Sequence, residues 1–119
     1  MYFVNGGHNP ALLRVPGADP VFLRAPRNPL VGIVPGLEYS VGSHAFPPGS
    51  LCVLYTDGVT EAENGAGAMF GDDALRDIVG QHGITDADSC VDKIVAAVDE
   101  FATGQPQADD ITVLAVYRP

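Results

Sequence analysis

Leu51-Cys52-Val53-Leu54-Tyr55 is a continuous apolar run, bounded by Pro47-Pro48-Gly49-Ser50 before it and Thr56-Asp57-Gly58 after it. A run of that length between turn signals predicts a strand buried on both faces. Upstream of it lie short β-prone pieces punctuated by Gly and Pro. Tyr2 to Val4, ended by Asn5-Gly6-Gly7, and Ala11 to Val15 predict two strands paired with each other, and Val21 to Leu23 predicts a third. Pro26, Pro29, Gly32, Pro35 and Gly36 exclude a helix from the next segment, which reads as an ordered loop or a bulged strand. Glu38 to Phe46 has mixed β character.

After Thr60 the period changes. Met69-Phe70-Gly71 leads into a helical pattern with Leu75, Ile78 and Val79, stopped by Gly80 and Gly83. Thr85 and Asp88 form a helix-start signal, after which Val91, Ile94, Val95, Val98 and Phe101 recur on one helical face. Gly104 and Pro106 end that helix, and Ile111 to Tyr117 is a final strand. Strands followed by two helices and one more strand predict an α+β fold with a mainly antiparallel sheet. Short turns between strands disfavour a doubly wound sheet.

The 119 residues fit one domain, and 46% hydrophobic against 18% charged residues is globular composition. Six Lys and Arg against fifteen Asp and Glu leave a net charge of −9. That charge repels phosphate backbones and anionic membranes, so nucleic acid and membrane are excluded as expected partners, and divalent cations are favoured. No apolar stretch reaches the eighteen or so residues of a membrane span. Cys52 and Cys90 fall in a buried strand and an amphipathic helix, which points to free thiols and a cytoplasmic setting. The opening MYFVNGG starts directly on strand-like residues, as a chain beginning inside a domain would.

Two acidic motifs carry the chemistry. In LCVLYTDGVTE a strand delivers Asp57 to its C-terminal end, followed by Gly58 and a second carboxylate, Glu61. Gly58 permits a sharp turn beside whatever Asp57 holds, and hard cations require oxygen ligands held in that manner. The same letters also spell a plain Asp-Gly turn. In Ala108-Asp109-Asp110-Ile111-Thr112 two adjacent acids precede the last strand, and their mutual repulsion would be relieved by a cation; a solvated loop is the alternative. His8 reads either as a polar or acid-base group of the site or, in preference, as a histidine satisfied within its turn, and His44 and His82 lack metal-ligand spacing. Glu61 reads either as an orienting group for a metal-bound water or as a helix-start carboxylate. Met69 and Phe70 read as core anchors of their loop.

YFVNGGHNPALL, PPGSLCVLYTDGVTEAENGAGAMFG, the helical stretch around Leu75 and ADDITVLAV occur in the order found in SpoIIE-like metal-dependent serine/threonine protein phosphatases of the PPM type. The chain resembles the C-terminal half of that domain, across residues 1–119. The resemblance implies a partial PPM-type β-sandwich with flanking helices. In the complete family site two Mn2+ or Mg2+ ions lie between the sheets, and a water activated there attacks the phosphorus of phosphoserine or phosphothreonine. Asp57 matches the family's metal-binding Asp in its DG motif, Asp109 the first Asp of DDIT, and Asp110 a secondary position. Both Asp57 and Asp109 would act in catalysis through bound metal and water. The family's upstream half, with its own metal-bridging Asp motif, has no counterpart in this chain.

A phosphorylated regulator of the anti-sigma-factor-antagonist type is the substrate and partner that the resemblance implies, with self-association or an upstream half-domain as a second partnership. The alternative is a catalytically inactive fragment or a module that binds a phosphoprotein or metal. A haloacid-dehalogenase-type phosphatase is excluded, because Val59 and Tyr55 leave Asp57 without the second acid two residues away.

Overall fold

Antiparallel pairing organises the chain around β5 (Leu51–Tyr55). The computed structural model describes residues 1–24, 28–107 and 109–119. On one side β5 pairs with β2 (Leu12–Arg14), which in turn pairs with β3 (Val21–Phe22). On the other it pairs with β6 (Val113–Tyr117) from Leu51↔Tyr117 to Tyr55↔Val113. These four strands form one antiparallel sheet in the order β3-β2-β5-β6.

The expected pairing of the first two strands is corrected by the structure. β1 (Tyr2–Phe3) pairs with β4 (Gly42–Ser43) in a separate two-stranded sheet, and not with β2. The reason lies in the Asn5-Gly6-Gly7 turn. The Asn5 side-chain oxygen accepts from the backbone N–H groups of Gly7 at 3.0 Å and His8 at 2.8 Å. Those bonds close a local turn within residues 5–8, and the strands on its two sides are not paired with each other. The Pro- and Gly-rich segment is irregular loop among its described residues; Pro26 lies outside them. Asn28 and Ser40 close its base, the Asn28 amide donating to the Ser40 carbonyl at 3.0 Å and its oxygen accepting from the Ser40 N–H at 2.8 Å.

Among the described residues three helices follow β5. α1 (Asp57–Thr60) is a single turn that periodicity does not reveal. α2 (Gly71–Val79) buries Leu75, Ile78 and Val79, and α3 (Ala87–Phe101) buries Cys90, Ile94 and Val98. The start of α3 differs from the expected Thr85–Asp88 pair by one residue. Asp86 is the N-cap, its carboxylate accepting from Ser89 N–H at 2.8 Å while the Ser89 hydroxyl accepts from the Asp86 N–H. Hydrogen bonding from the Ser89 side chain, and then from its backbone N–H, holds the Asp86 carboxyl below its ordinary range.

Alternation along β5 divides the core. Leu51, Val53 and Tyr55 face α2 and α3 and join Leu12, Phe70, Leu75 and Ile94 in the main cluster. Burial, then the nearby Asp72 carboxylate, push the Tyr55 hydroxyl up to about 12. On the opposite face Cys52 packs with Leu13 and Leu23 beneath Phe3 and Phe46. Burial on both faces thus holds for Cys52, whose partner in the ladder on the β2 side is Leu13. It does not hold for Leu54, which is 37% exposed. Phe70 is buried and meets Phe101 edge-on with ring centres 5.5 Å apart, as a core anchor would. Met69 is 59% exposed and anchors nothing.

Arg14 ties the sheet to the helical layer. Its guanidinium donates to the carbonyls of Val79 at 3.0 Å, Gln81 at 3.3 Å and Ile84 at 2.8 Å, satisfying the open C-terminal end of α2. Arg14→Met, which keeps the apolar stem but removes these donors, is expected to lower unfolding stability by about 1–3 kcal/mol. Urea denaturation followed by circular dichroism checks this, with an unchanged midpoint counting against the clamp.

Candidate metal and phosphate site

The β5–β6 ladder continues past its last strand pair through a threonine. The Thr56 N–H donates to the Thr112 carbonyl at 3.1 Å. The Thr56 hydroxyl donates to the Asp110 carbonyl at 2.8 Å and accepts from the Thr112 N–H at 2.9 Å. One side chain thereby fastens the Asp57-Gly58 turn to the Asp109-Asp110 loop. Sequence reasoning missed Thr56; its signal was a hydroxyl one residue before the Asp-Gly pair.

Gly58 decides how near the two motifs come. A Cβ at this position would lie 2.9 Å from the Asp110 carbonyl carbon and 3.3 Å from the Asp109 carbonyl oxygen. Only a residue without a side chain lets these backbones pack in this way. Asp57 begins α1 and Glu61 ends it, the Glu61 N–H donating to the Asp57 carbonyl at 2.8 Å. Glu61 is therefore a helix-end residue, which corrects the helix-start reading. In the second loop the Asp110 N–H donates to the Asp109 carboxylate at 2.7 Å, and the Gln107 amide donates to the Asp109 carbonyl at 2.8 Å. Ala108, the first residue of that motif, lies outside the described residues.

Beside this junction is a cleft of about 500 Å³ between the α1 turn, the end of α3, residues 104–107 and Asp109. Glu61, Glu63, Asp99 and Asp109 all line it. Asp57 is exposed at its margin through neighbouring Gly58, but does not itself line the cavity. Glu63 and Asp99 had no signal in the sequence, since one follows α1 and the other lies on α3. Among the described residues the one ion pair joins Arg76 to Asp73 at 2.8 Å, so no basic side chain neutralises these acids.

The donors suit a hard divalent cation in kind, being carboxylate oxygens gathered without a cationic partner. They do not suffice in number. Among the described residues no group of three or more His, Cys, Asp or Glu side chains is placed to hold a metal ion. His8 and His44 are exposed, their ring nitrogens directed to the carbonyls of Asn9 and Ala45, and His82 is exposed beyond α2.

A mixed α+β chain with antiparallel sheets and acidic loops at the end of its central ladder is a partial PPM phosphatase fold. All of residues 1–119 match the family described as Stage II sporulation protein E (SpoIIE), and the chain belongs to that family. Protein IcfG of Synechocystis sp. is 29% identical over 116 residues, a match covering 98% of this chain and 18% of that protein. The phosphatase domain of the cell fate determinant SpoIIE from Bacillus subtilis, in a manganese-presoaked structure, superposes with a TM-score of 0.72 at 20% identity. That match covers 98% of this chain and 50% of the other. The SiaA-PP2C domain of Pseudomonas aeruginosa gives a TM-score of 0.74 at 24% identity, covering 92% of this chain and 43% of that one. The chain thus spans about half the length of these solved domains, and less than a fifth of the curated relative.

Gly58→Ala is expected to push the Asp109–Asp110 backbone away and to lower stability by about 1–3 kcal/mol. Amide chemical shifts of residues 109–112, together with a urea midpoint, check it. Unmoved shifts would show that the close approach is not maintained in solution.

Proposed function

We propose that residues 1–119 form the C-terminal half of a metal-dependent protein serine/threonine phosphatase. The observation that carries this reading is the junction of the two acidic motifs, where Gly58 packs on the Asp109–Asp110 backbone and Thr56 bonds to both sides. Asp57 and Asp109 would hold Mn2+ or Mg2+, with Asp110 as a further contributor. When bound, such ions supply Lewis acidity, a lowered pKa for water and neutralisation of phosphate charge.

The chain's own residues orient and exclude. The short α1 turn fixes Asp57 relative to β5, and the Thr56 bonds hold the second loop in register with it. The acidic cleft repels a phosphate ester until cations compensate its charge, so substrate binding would depend on the metal. A phosphorylated regulatory protein of the anti-sigma-factor-antagonist type fits this reading as substrate, in the cytoplasm. Among the described residues no helix is long and apolar enough to cross a membrane. Two retained carboxylates are fewer than a two-metal clamp requires, so the reading places turnover in the completed domain and not in residues 1–119 alone.

Phosphate release from a phosphoserine peptide with Mn2+ tests the reading. The chain alone is expected to stay near background. The chain joined to the half of the Bacillus subtilis SpoIIE phosphatase domain that it does not match should turn over. Asp57→Asn or Asp109→Asn in that joined protein should reduce the rate by about 100-fold or more, a larger loss than outer-shell substitutions cause. Full activity in both variants would remove these residues from the site.

A further inference from the structure

The chain has four asparagines, and the residue after each decides its chemistry. Asn9 and Asn28 precede Pro10 and Pro29, whose nitrogens carry no hydrogen and do not attack a neighbouring amide. Asn5 and Asn64 precede Gly6 and Gly65, which have no Cβ to hinder attack of their own nitrogen on the preceding side chain. By sequence the two Asn-Gly pairs are equivalent. The fold makes them different.

Their side-chain oxygens are held alike. Asn5 Oδ1 accepts from the Gly7 and His8 N–H groups, and Asn64 Oδ1 accepts from the Ala66 and Ala68 N–H groups, both at 3.0 Å. Two backbone donors on one amide oxygen stabilise the negative charge that grows there when its carbon is attacked. The leaving nitrogens are not alike. Asn5 Nδ2 donates to the His8 carbonyl at 2.8 Å, whereas Asn64 Nδ2 has no partner among the described residues. The surroundings differ further. The Val31 N–H donates to the Gly6 carbonyl at 3.2 Å, the Val31 side chain fills the space a Gly6 Cβ would take, and Leu30 does so at Gly7. Gly6 turns toward Asn5 Cγ only when that loop lifts. Gly65 instead lies at the exposed tip of a small hairpin closed by the Glu63↔Met69 bridge. A Cβ on Gly65 would meet only the Gln105 amide, at 3.4 Å, and among the described residues the Gly65 N–H has no acceptor.

We propose that Asn64-Gly65 is a self-modification site, where the folded chain converts Asn64 to aspartate and isoaspartate while Asn5 is preserved. The Gly65 nitrogen gives its proton to water and bonds to Asn64 Cγ. Charge collects on Oδ1 beneath the Ala66 and Ala68 N–H groups, the Cγ–Nδ2 bond breaks, and Nδ2 takes up a proton and leaves as ammonia. Water then opens the cyclic imide. Cleavage at Cγ gives aspartate, and cleavage at the backbone carbonyl gives isoaspartate. Either product adds one negative charge beside Glu63, which with Met69 lines the acidic cleft. Aspartate keeps the hairpin, its carboxylate accepting from the same two N–H groups. Isoaspartate routes the backbone through the former side chain, lengthening the chain between the bridged Glu63 and Met69 and shifting that wall of the cleft.

The whole chain is incubated warm at neutral pH, folded and in urea, with peptide mass mapping of amide-to-acid conversion and enzymatic methylation of isoaspartate. In the folded chain Asn64 should convert about tenfold or more faster than Asn5, because Asn5 reacts only after local opening. In urea the two rates should converge, since the fold no longer separates them. Gly65 does not have a positive φ, so Gly65→Ala is expected to fold, and it should suppress conversion at position 64 alone. Equal rates at the two sites in the folded chain would overturn the proposal, as would conversion of Asn64 confined to urea. Conversion that Gly65→Ala leaves unchanged would also sink it, since attack would then come from water and not from the Gly65 nitrogen.

Discussion

The ladder between β5 and β6 is the constraint on which the rest of the molecule depends. Its five paired positions join the middle of the chain to its end and set which side chains face the helices. Because side chains alternate, one residue of slip would turn Val53 and Tyr55 away from α3 and bring Cys52 and Leu54 under it. Arg14 fixes the same sheet to the helical layer from β2, through the open end of α2. The ladder is also what delivers chemistry. Its register places position 57 opposite the loop that ends at Thr112, and Thr56 closes that gap with hydrogen bonds on both sides.

The acidic end of the ladder is held by backbone, not by attraction between side chains. Like charges gathered without basic partners raise the free energy of the arrangement. Here the cost is borne by the Gly58 contact, the Thr56 bonds and the Asp110 N–H to the Asp109 carboxylate. Among the described residues that frame holds no group of three or more metal-ligating side chains.

Local patterns made much of this legible. Continuous apolarity marked β5, the 3.6-residue period marked α2 and α3, and Gly and Pro marked the irregular loop. Three features went unread for physical reasons. Tyr2 to Val4 was legible as a strand and Glu38 to Phe46 as β-prone, but the pairing of β1 with β4 was not, because two-residue strands carry no register signal in the letters. α1 is one turn, below the length at which a helical period exists. Glu63 and Asp99 join Asp109 around one cleft only because α3 crosses β6, a non-local packing event.

What the sequence by itself determined was the α+β class, the central strand, the two long helices and the family, because these rest on local periodicity and on motifs read in order. That Asp57-Gly58 and Asp109-Asp110 meet was decided by tertiary structure alone. Their separation along the chain is bridged by β-ladder register and by an approach that a single Cβ would block, and neither is a local property. The exposure of apolar residues on β5 and β6 was likewise invisible in the letters. Leu54 reads as a buried residue of its strand, and only the fold shows that it and its neighbours Leu114 and Val116 are left exposed among the described residues. Apolar character expresses a demand for burial, and only the arrangement of layers determines whether that demand is met.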